Sequence, residues 1–141
     1  MEYSCAYIDI VVVSLKYALI LGSNSLEKVE FASMIALVSS SMGEEVEVFA
    51  TMDGVNAFTV PPKLVSNTES AKRIELTENG GRYLEYFKKA KSLGKVKIIA
   101  CSMASQLFGL KKENYSELVD AIGGLTSFIV GNESSKMIEV W

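Results

Sequence analysis

The strongest constraint on the fold is an alternation of strand-like and helix-like segments, clearest between Tyr17 and Ala50. Tyr17-Ala18-Leu19-Ile20-Leu21 is a continuous apolar run, the pattern of a strand covered on both faces. It breaks at Gly22-Ser23-Asn24-Ser25, where Asn24 with Glu27 three residues on predicts a helix N-cap and its capping-box partner. Leu26, Val29, Ala32, Ile35, Val38 and Met42 then recur at helical spacing, and Gly43 is the expected stop. Glu45 to Ala50 alternates polar and apolar, which predicts a second strand with one more exposed face, at a sheet edge.

The pattern returns downstream. Gly81 to Leu93 reads as a helix with Leu84, Phe87 and Ala90 on one face, closed by Gly94. Val96 to Ala100 is a third strand, followed by short helices over Ser102–Phe108 and about Glu113–Ile122. Leu125 to Val130 reads as a fourth strand and Met137 to Val140 as a fifth. Residues 52–79 carry no clear period: Met52-Asp53-Gly54-Val55 looks like a turn, and Pro61-Pro62 bars regular structure locally. So long a connection implies a lid, an oligomer contact or a helix without a clear signature.

Strands alternating with helices imply an α/β fold: one three-layer, flavodoxin-like domain with a mostly parallel sheet of about five strands and helices on both faces. At 141 residues the chain has room for one such core and not for two ordinary ones. We assign residues 16–141 to the domain and 1–15 to an N-terminal extension. That extension is either an added strand or oligomer arm, or the product of a natural start lying near Val13.

Composition removes several functions. A net charge of −3 argues against a nucleic-acid partner, and Lys88, Lys89, Lys91, Lys95 and Lys97 read as a solvated helix end complementing the dipole. The chain has no histidine, which excludes Ser-His-Asp and Cys-His catalysis and leaves too few soft ligands for zinc, so neither metal nor cofactor is expected. Its two cysteines, Cys5 and Cys101, offer neither a disulfide framework nor a CxxC pair. The apolar stretch Ile8 to Leu21 is interrupted by Asp9 and Lys16 and is too short to span a bilayer. Glu2 stands where a signal peptide needs a basic flank, so a cytoplasmic protein with reduced thiols is expected.

Cys101 is the main candidate for chemistry. It falls where the strand Val96 to Ala100 turns into a helix, so unpaired N–H groups and the positive helix end should favour its thiolate. The competing reading is a buried cysteine that only fills space. In a flavodoxin-like order the first and third strands part at a switch point, and ligands bind beyond their carboxyl ends. That rim would hold Gly22, Ser23 and Asn24, Asp53 and Gly54 after the second strand, and Cys101, Ser102 and Met103. Ser102 and Met103 would offer backbone N–H groups to a negative sulfur species, with the Gly22-Ser23-Asn24 turn as opposite wall and Asp53 adding negative charge nearby.

Leu19-Ile20-Leu21-Gly22-Ser23-Asn24, Val46-Glu47-Val48-Phe49 leading into Gly54-Val55-Asn56, and Ile99-Ala100-Cys101-Ser102-Met103 with Phe108-Gly109-Leu110-Lys111-Lys112-Glu113 together resemble the DsrE/DsrF/DsrH-like sulfur-relay family. The resemblance runs from Lys16 to Trp141, and the cysteine block is its most specific part. It implies a small flavodoxin-like homo-oligomer that accepts sulfur on Cys101, as a persulfide or thiosulfonate, in cytoplasmic sulfur trafficking. Partners would be sulfur donor and acceptor proteins or small sulfur anions.

Three functions follow from these residues. A sulfur carrier or sulfurtransferase needs the Cys101 thiolate and access for a donor and an acceptor. A peroxiredoxin-like thiol oxidoreductase needs a resolving thiol as well, from Cys5 or another protein. A non-catalytic module binding a small anion needs only the crevice; a nucleotide lacks support, because the Gly22 turn has neither the dinucleotide-binding nor the Walker spacing.

Overall fold

A computed structural model describes residues 15–78 and 81–141. Cys5 and the rest of residues 1–14 lie outside the described residues. Five strands form one all-parallel sheet: β1 (Lys16–Leu21), β2 (Glu45–Ala50), β3 (Val96–Cys101), β4 (Ala121–Gly123) and β5 (Lys136–Val140), in the order β4-β3-β2-β1-β5. Helices α1 (Leu26–Ser41), α2 (Glu69–Glu78), α3 (Tyr83–Leu93), α4 (Ser102–Leu107) and α5 (Leu125–Gly131) complete a three-layer, flavodoxin-like α/β domain.

Chain direction explains the layers. From β1 to β3 the chain steps one way across the sheet, and right-handed crossovers put α1 and α3 together on one face. The return from β4 to β5 reverses direction, so α5 lands on the other face, where Phe128 stacks on Phe49 with ring centroids 4.8 Å apart. Leu19, Leu21, Val48 and Ile98 point into the α1–α3 layer and are fully buried. The register sets Ile20, Phe49 and Ile99 abreast on the opposite face, with Cys101 two residues beyond Ile99 on that same face.

This order moves the switch point. β2, which we expected at an edge, lies between β1 and β3, while β1 lies between β2 and β5. The β1 and β3 ends therefore do not flank one crevice. β2 keeps alternating polarity because Glu45 and Glu47 occupy the part of the α5 face that the short α5 does not reach, and Glu47 pairs with Lys16 at 3.1 Å.

Four local expectations also change. Leu125 to Val130 is helix α5, not a strand, because the place beside β1 goes to β5 and the returning crossover needs a helical cover over Phe49. The stretch read as a helix over Glu113–Ile122 is a 3₁₀ turn, Lys112–Asn114, followed by extended chain and β4. There Val60 N–H donates to Asn114 O and Ser116 N–H to Phe58 O, consuming backbone groups a helix would need. The α1 N-cap is Ser25, not Asn24, and the last turn of α1 buries Ser39 and Ser40 while Val38, and Met42 just past its end, are exposed. The illegible middle holds a 3₁₀ segment, Met52–Phe58, and helix α2. α2 escaped notice because Ala71 is its one buried apolar residue among the described side chains.

Candidate functional site

Cys101 is the last residue of β3 and the N-cap of α4, with extended φ −60° and ψ 127°. That conformation turns the side chain back over the first helical turn, where Sγ accepts from the Ala104 N–H at 3.5 Å. The amide that reaches sulfur is thus Ala104's, whereas the sequence pointed to Ser102 and Met103. Cys101 is 3% exposed, so its sulfur is approached through the adjoining cavity rather than from open solvent.

A hydroxyl pair that the sequence did not signal holds this corner from behind. Ser105 Oγ donates to the Cys101 carbonyl at 2.7 Å and lies 2.6 Å from the Tyr115 hydroxyl. Serine has a single hydroxyl proton, so Tyr115 must be the donor in the second bond, and the chain runs Tyr115 O–H to Ser105 O–H to Cys101 C=O. Burial pushes the Tyr115 phenol above its ordinary range; the Ser105 bond opposes that and the Coulombic effect of Cys101 adds to it. Tyr115 therefore stays protonated as the relay requires. A buried serine and a tyrosine ten residues apart across a turn carry no local signal of this contact.

The cavity measures about 480 Å³, in the usual range for small-molecule sites. Ile20, Phe49 and Thr51 make its floor, and Leu125 and Ile129 of α5 make one wall. Met137, Glu139 and Trp141 line the β5 side, while Met52, Ser102 and Met103 stand beside Cys101. Met52 holds φ at +48°, a left-handed conformation uncommon for an unbranched side chain and costly enough to mark the position. Glu139 accepts from Trp141 Nε1 at 3.1 Å.

Of the residues expected at the rim, Ser102 and Met103 meet Cys101 in the cavity, and the others do not line it. Gly22 lies beneath the Trp141 ring, where a Cβ would come within 2.2 Å of the indole. Gly54 backs onto β1, where a Cβ would sit 2.2 Å from Leu21 O. Ser23 Oγ accepts the Ser25 N–H, and Asn24 Nδ2 donates to Lys63 O, pinning the connection after the 3₁₀ segment. Asp53 is exposed. The opposite wall assigned to Gly22-Ser23-Asn24 is supplied instead by α5 and β5, elements whose position depends on strand order.

A second groove, about 300 Å³, opens at the amino ends of the strands, far from Cys101. Along its walls Lys16 is paired with Glu47, Lys95 with Glu45 and Asp120 with Lys91, and Lys97 lines it as well. Among the described residues no group of three or more His, Cys, Asp or Glu is placed to hold a metal, and no helix is long and apolar enough to cross a membrane.

The model of the DsrE/DsrF-like family matches residues 16–132. The chain belongs to the DsrE/DsrF-like family. No curated protein matches it. Among solved structures it is similar to the ychN protein from E. coli, with 14% identity, a TM-score of 0.61, and 90% of this chain and 99% of that one covered. It is also similar to MTH1491 from Methanobacterium thermoautotrophicum, described as a protein of unknown function, with 19% identity, a TM-score of 0.56, and 89% and 99% covered. At these identities the likeness concerns the fold. The family's sulfur-relay character bears on the Cys101 corner, the one place where the described residues hold a free thiol.

Proposed function

We propose that this DsrE/DsrF-like chain carries sulfur on Cys101 in a cytoplasmic relay. The observation that carries the reading is the Cys101 Sγ held on the Ala104 amide at the inner edge of a small, mostly apolar cavity. Such a donor favours negative sulfur, and the cavity admits a small donor while limiting water. In the loading step the Cys101 thiolate attacks the outer sulfur of a donor R–S–SH. The S–S bond of the donor breaks, Cys101–S–SH forms, and R–S⁻ leaves. An acceptor thiolate then attacks the outer sulfur of Cys101–S–SH, takes it as a persulfide, and returns the Cys101 thiolate. Tetrathionate loads the residue as a thiosulfonate: Cys101–S⁻ attacks one of its two inner sulfurs, the central S–S bond breaks, Cys101–S–S–SO3⁻ forms and thiosulfate leaves. Neither transfer needs a metal or an external redox partner.

The cavity rim supports the homo-oligomer as well. Met103, Leu125, Ile129, Met137 and Trp141 all line the cavity and all remain exposed, an apolar set that a second copy would cover. A peroxiredoxin-like reading would need a resolving thiol from outside the described residues.

The test is the intact mass of reduced protein after polysulfide, thiosulfate and tetrathionate, with Cys101→Ser beside it. A reducible adduct of sulfane sulfur or thiosulfonate on the wild type alone is expected. No adduct from any donor, with a thiol slow to alkylate, would return Cys101 to the core and favour a binding module.

A further inference from the structure

We propose that the Cys101 cavity selects its sulfur donor by charge, taking a small organic persulfide whose carrier group is neutral or cationic in preference to free sulfur oxyanions, with Glu139 as the specificity-determining residue. This deepens the reading of Cys101 as the sulfur-bearing residue and rests on it. The lining contains no lysine or arginine, and Glu139 is its one charged side chain. The cations on this sheet face, Lys16 and Lys97, lie toward the amino ends of the strands, and Lys16 is paired with Glu47.

A sulfonate entering such a cavity exchanges its hydration for Leu125, Ile129, Met137 and Phe49 and gains no counter-charge. It also meets Glu139, which Trp141 Nε1 holds at 3.1 Å. An organic persulfide carries its sulfane sulfur without that cost. Cys101–S⁻ attacks the outer sulfur of R–S–SH, the donor S–S bond breaks, and R–S⁻ departs with the displaced electron pair. A cationic group on R would also neutralise that leaving thiolate.

The register sets the scale. Glu139 is abreast of Ile20, Ile20 of Phe49, and Phe49 of Ile99, so Glu139 and Cys101 stand three strand spacings apart across the sheet. Three spacings, with Cys101 two residues further along its strand than Ile99, amount to about 16 Å. One unit charge at that range, between the dielectric limits of water and protein surface, changes a rate about three-fold at low salt.

The experiment follows mixed-disulfide formation on the reduced protein by intact mass. The probes are cystamine, 2-hydroxyethyl disulfide and 3,3′-dithiodipropionate: cationic, neutral and anionic. Each reaction is Cys101–S⁻ plus R–S–S–R giving Cys101–S–S–R plus R–S⁻, and each rate is divided by that of N-acetylcysteine amide with the same probe. We expect the cationic probe to exceed the anionic one by about ten-fold after this correction, in low salt. The ratio should shrink in Glu139→Gln and in high salt, and reverse in Glu139→Lys, with the neutral probe nearly unchanged. A cationic-to-anionic ratio below about two-fold, or one that Glu139→Gln leaves unmoved, overturns the proposal. The two readings separate cleanly. Sulfur loading from thiosulfate as fast as from cysteamine persulfide would refute charge selection while leaving the carrier intact. The expected probe order without any sulfur loading would refute the carrier and leave the charge selection of the cavity.

Discussion

Replacing Phe128 with alanine should do more than lower stability, because α5 depends on that one ring. Phe128 is the only buried residue of the seven in α5, whereas Leu125 and Ile129 are about half exposed. A helix of that length does not hold itself in water. Truncating a buried phenylalanine costs about 3–5 kcal/mol, of which the stack on Phe49 supplies about 1 kcal/mol. The low end applies here, since α5 can lift and let water in rather than leave an empty cavity. We therefore expect a loss of about 3 kcal/mol in urea denaturation with an unchanged slope, and about 1 kcal/mol for Phe128→Leu. Because Leu125 and Ile129 form a wall of the Cys101 cavity, iodoacetamide should also alkylate Cys101 faster in native Phe128→Ala than in wild type. A cost under about 1 kcal/mol with wild-type alkylation would show that this stack neither fastens α5 nor shields the thiol.

Two glycines should part company. Gly54→Ala drives a Cβ against the Leu21 carbonyl, a backbone atom that cannot step aside, and should cost about 2–3 kcal/mol in urea denaturation. Gly22→Ala drives its Cβ first against the Trp141 ring, a half-exposed side chain that can move, so it should cost under about 1 kcal/mol and shift the emission of the chain's single tryptophan. Tyr115→Phe leaves the buried Ser105 hydroxyl without its donor. It should cost about 1–2 kcal/mol in urea denaturation, and a cost under about 0.5 kcal/mol would show that the pair does not hold this corner. Burial, with Glu30 adding, raises the Tyr83 phenol well above its ordinary value, and Tyr115 is raised too. The unfolded phenols lose protons near pH ~10 while the folded ones keep theirs, so this stability is complete below that point and drains away as pH rises beyond it. Tyr83→Phe should accordingly flatten the fall of the urea midpoint between about pH 9 and 11.

Much of the fold was legible because its signals are local. The apolar run at Tyr17–Leu21, the helical spacing that begins at Leu26, and the Gly43 and Gly94 stops each follow from a repeat within a dozen residues. Cys101 at a strand-to-helix junction was readable for the same reason. Leu125 to Val130 was not. Its β-branched and aromatic content favours a strand, but the site beside β1 was taken by β5, and burying Phe128 on Phe49 outweighed propensity. The middle segment hid because Gly54 to Phe58 is anchored by distant partners: Phe58 packs on Phe87, and Tyr83 OH donates to Ala57 O.

The sequence by itself determined that this chain is an α/β domain with a cysteine where a strand turns into a helix, because pleat and helix periods are written in neighbouring residues. Tertiary structure alone decided what surrounds that cysteine. Placing β5 next to β1 brought Glu139 and Trp141 to the cavity, the reversed crossover laid α5 over Phe49, and the fold of the chain after α4 aimed Tyr115 at Ser105. Strand order and crossover direction depend on which distant segments bury one another best, and no short stretch of the chain records that competition.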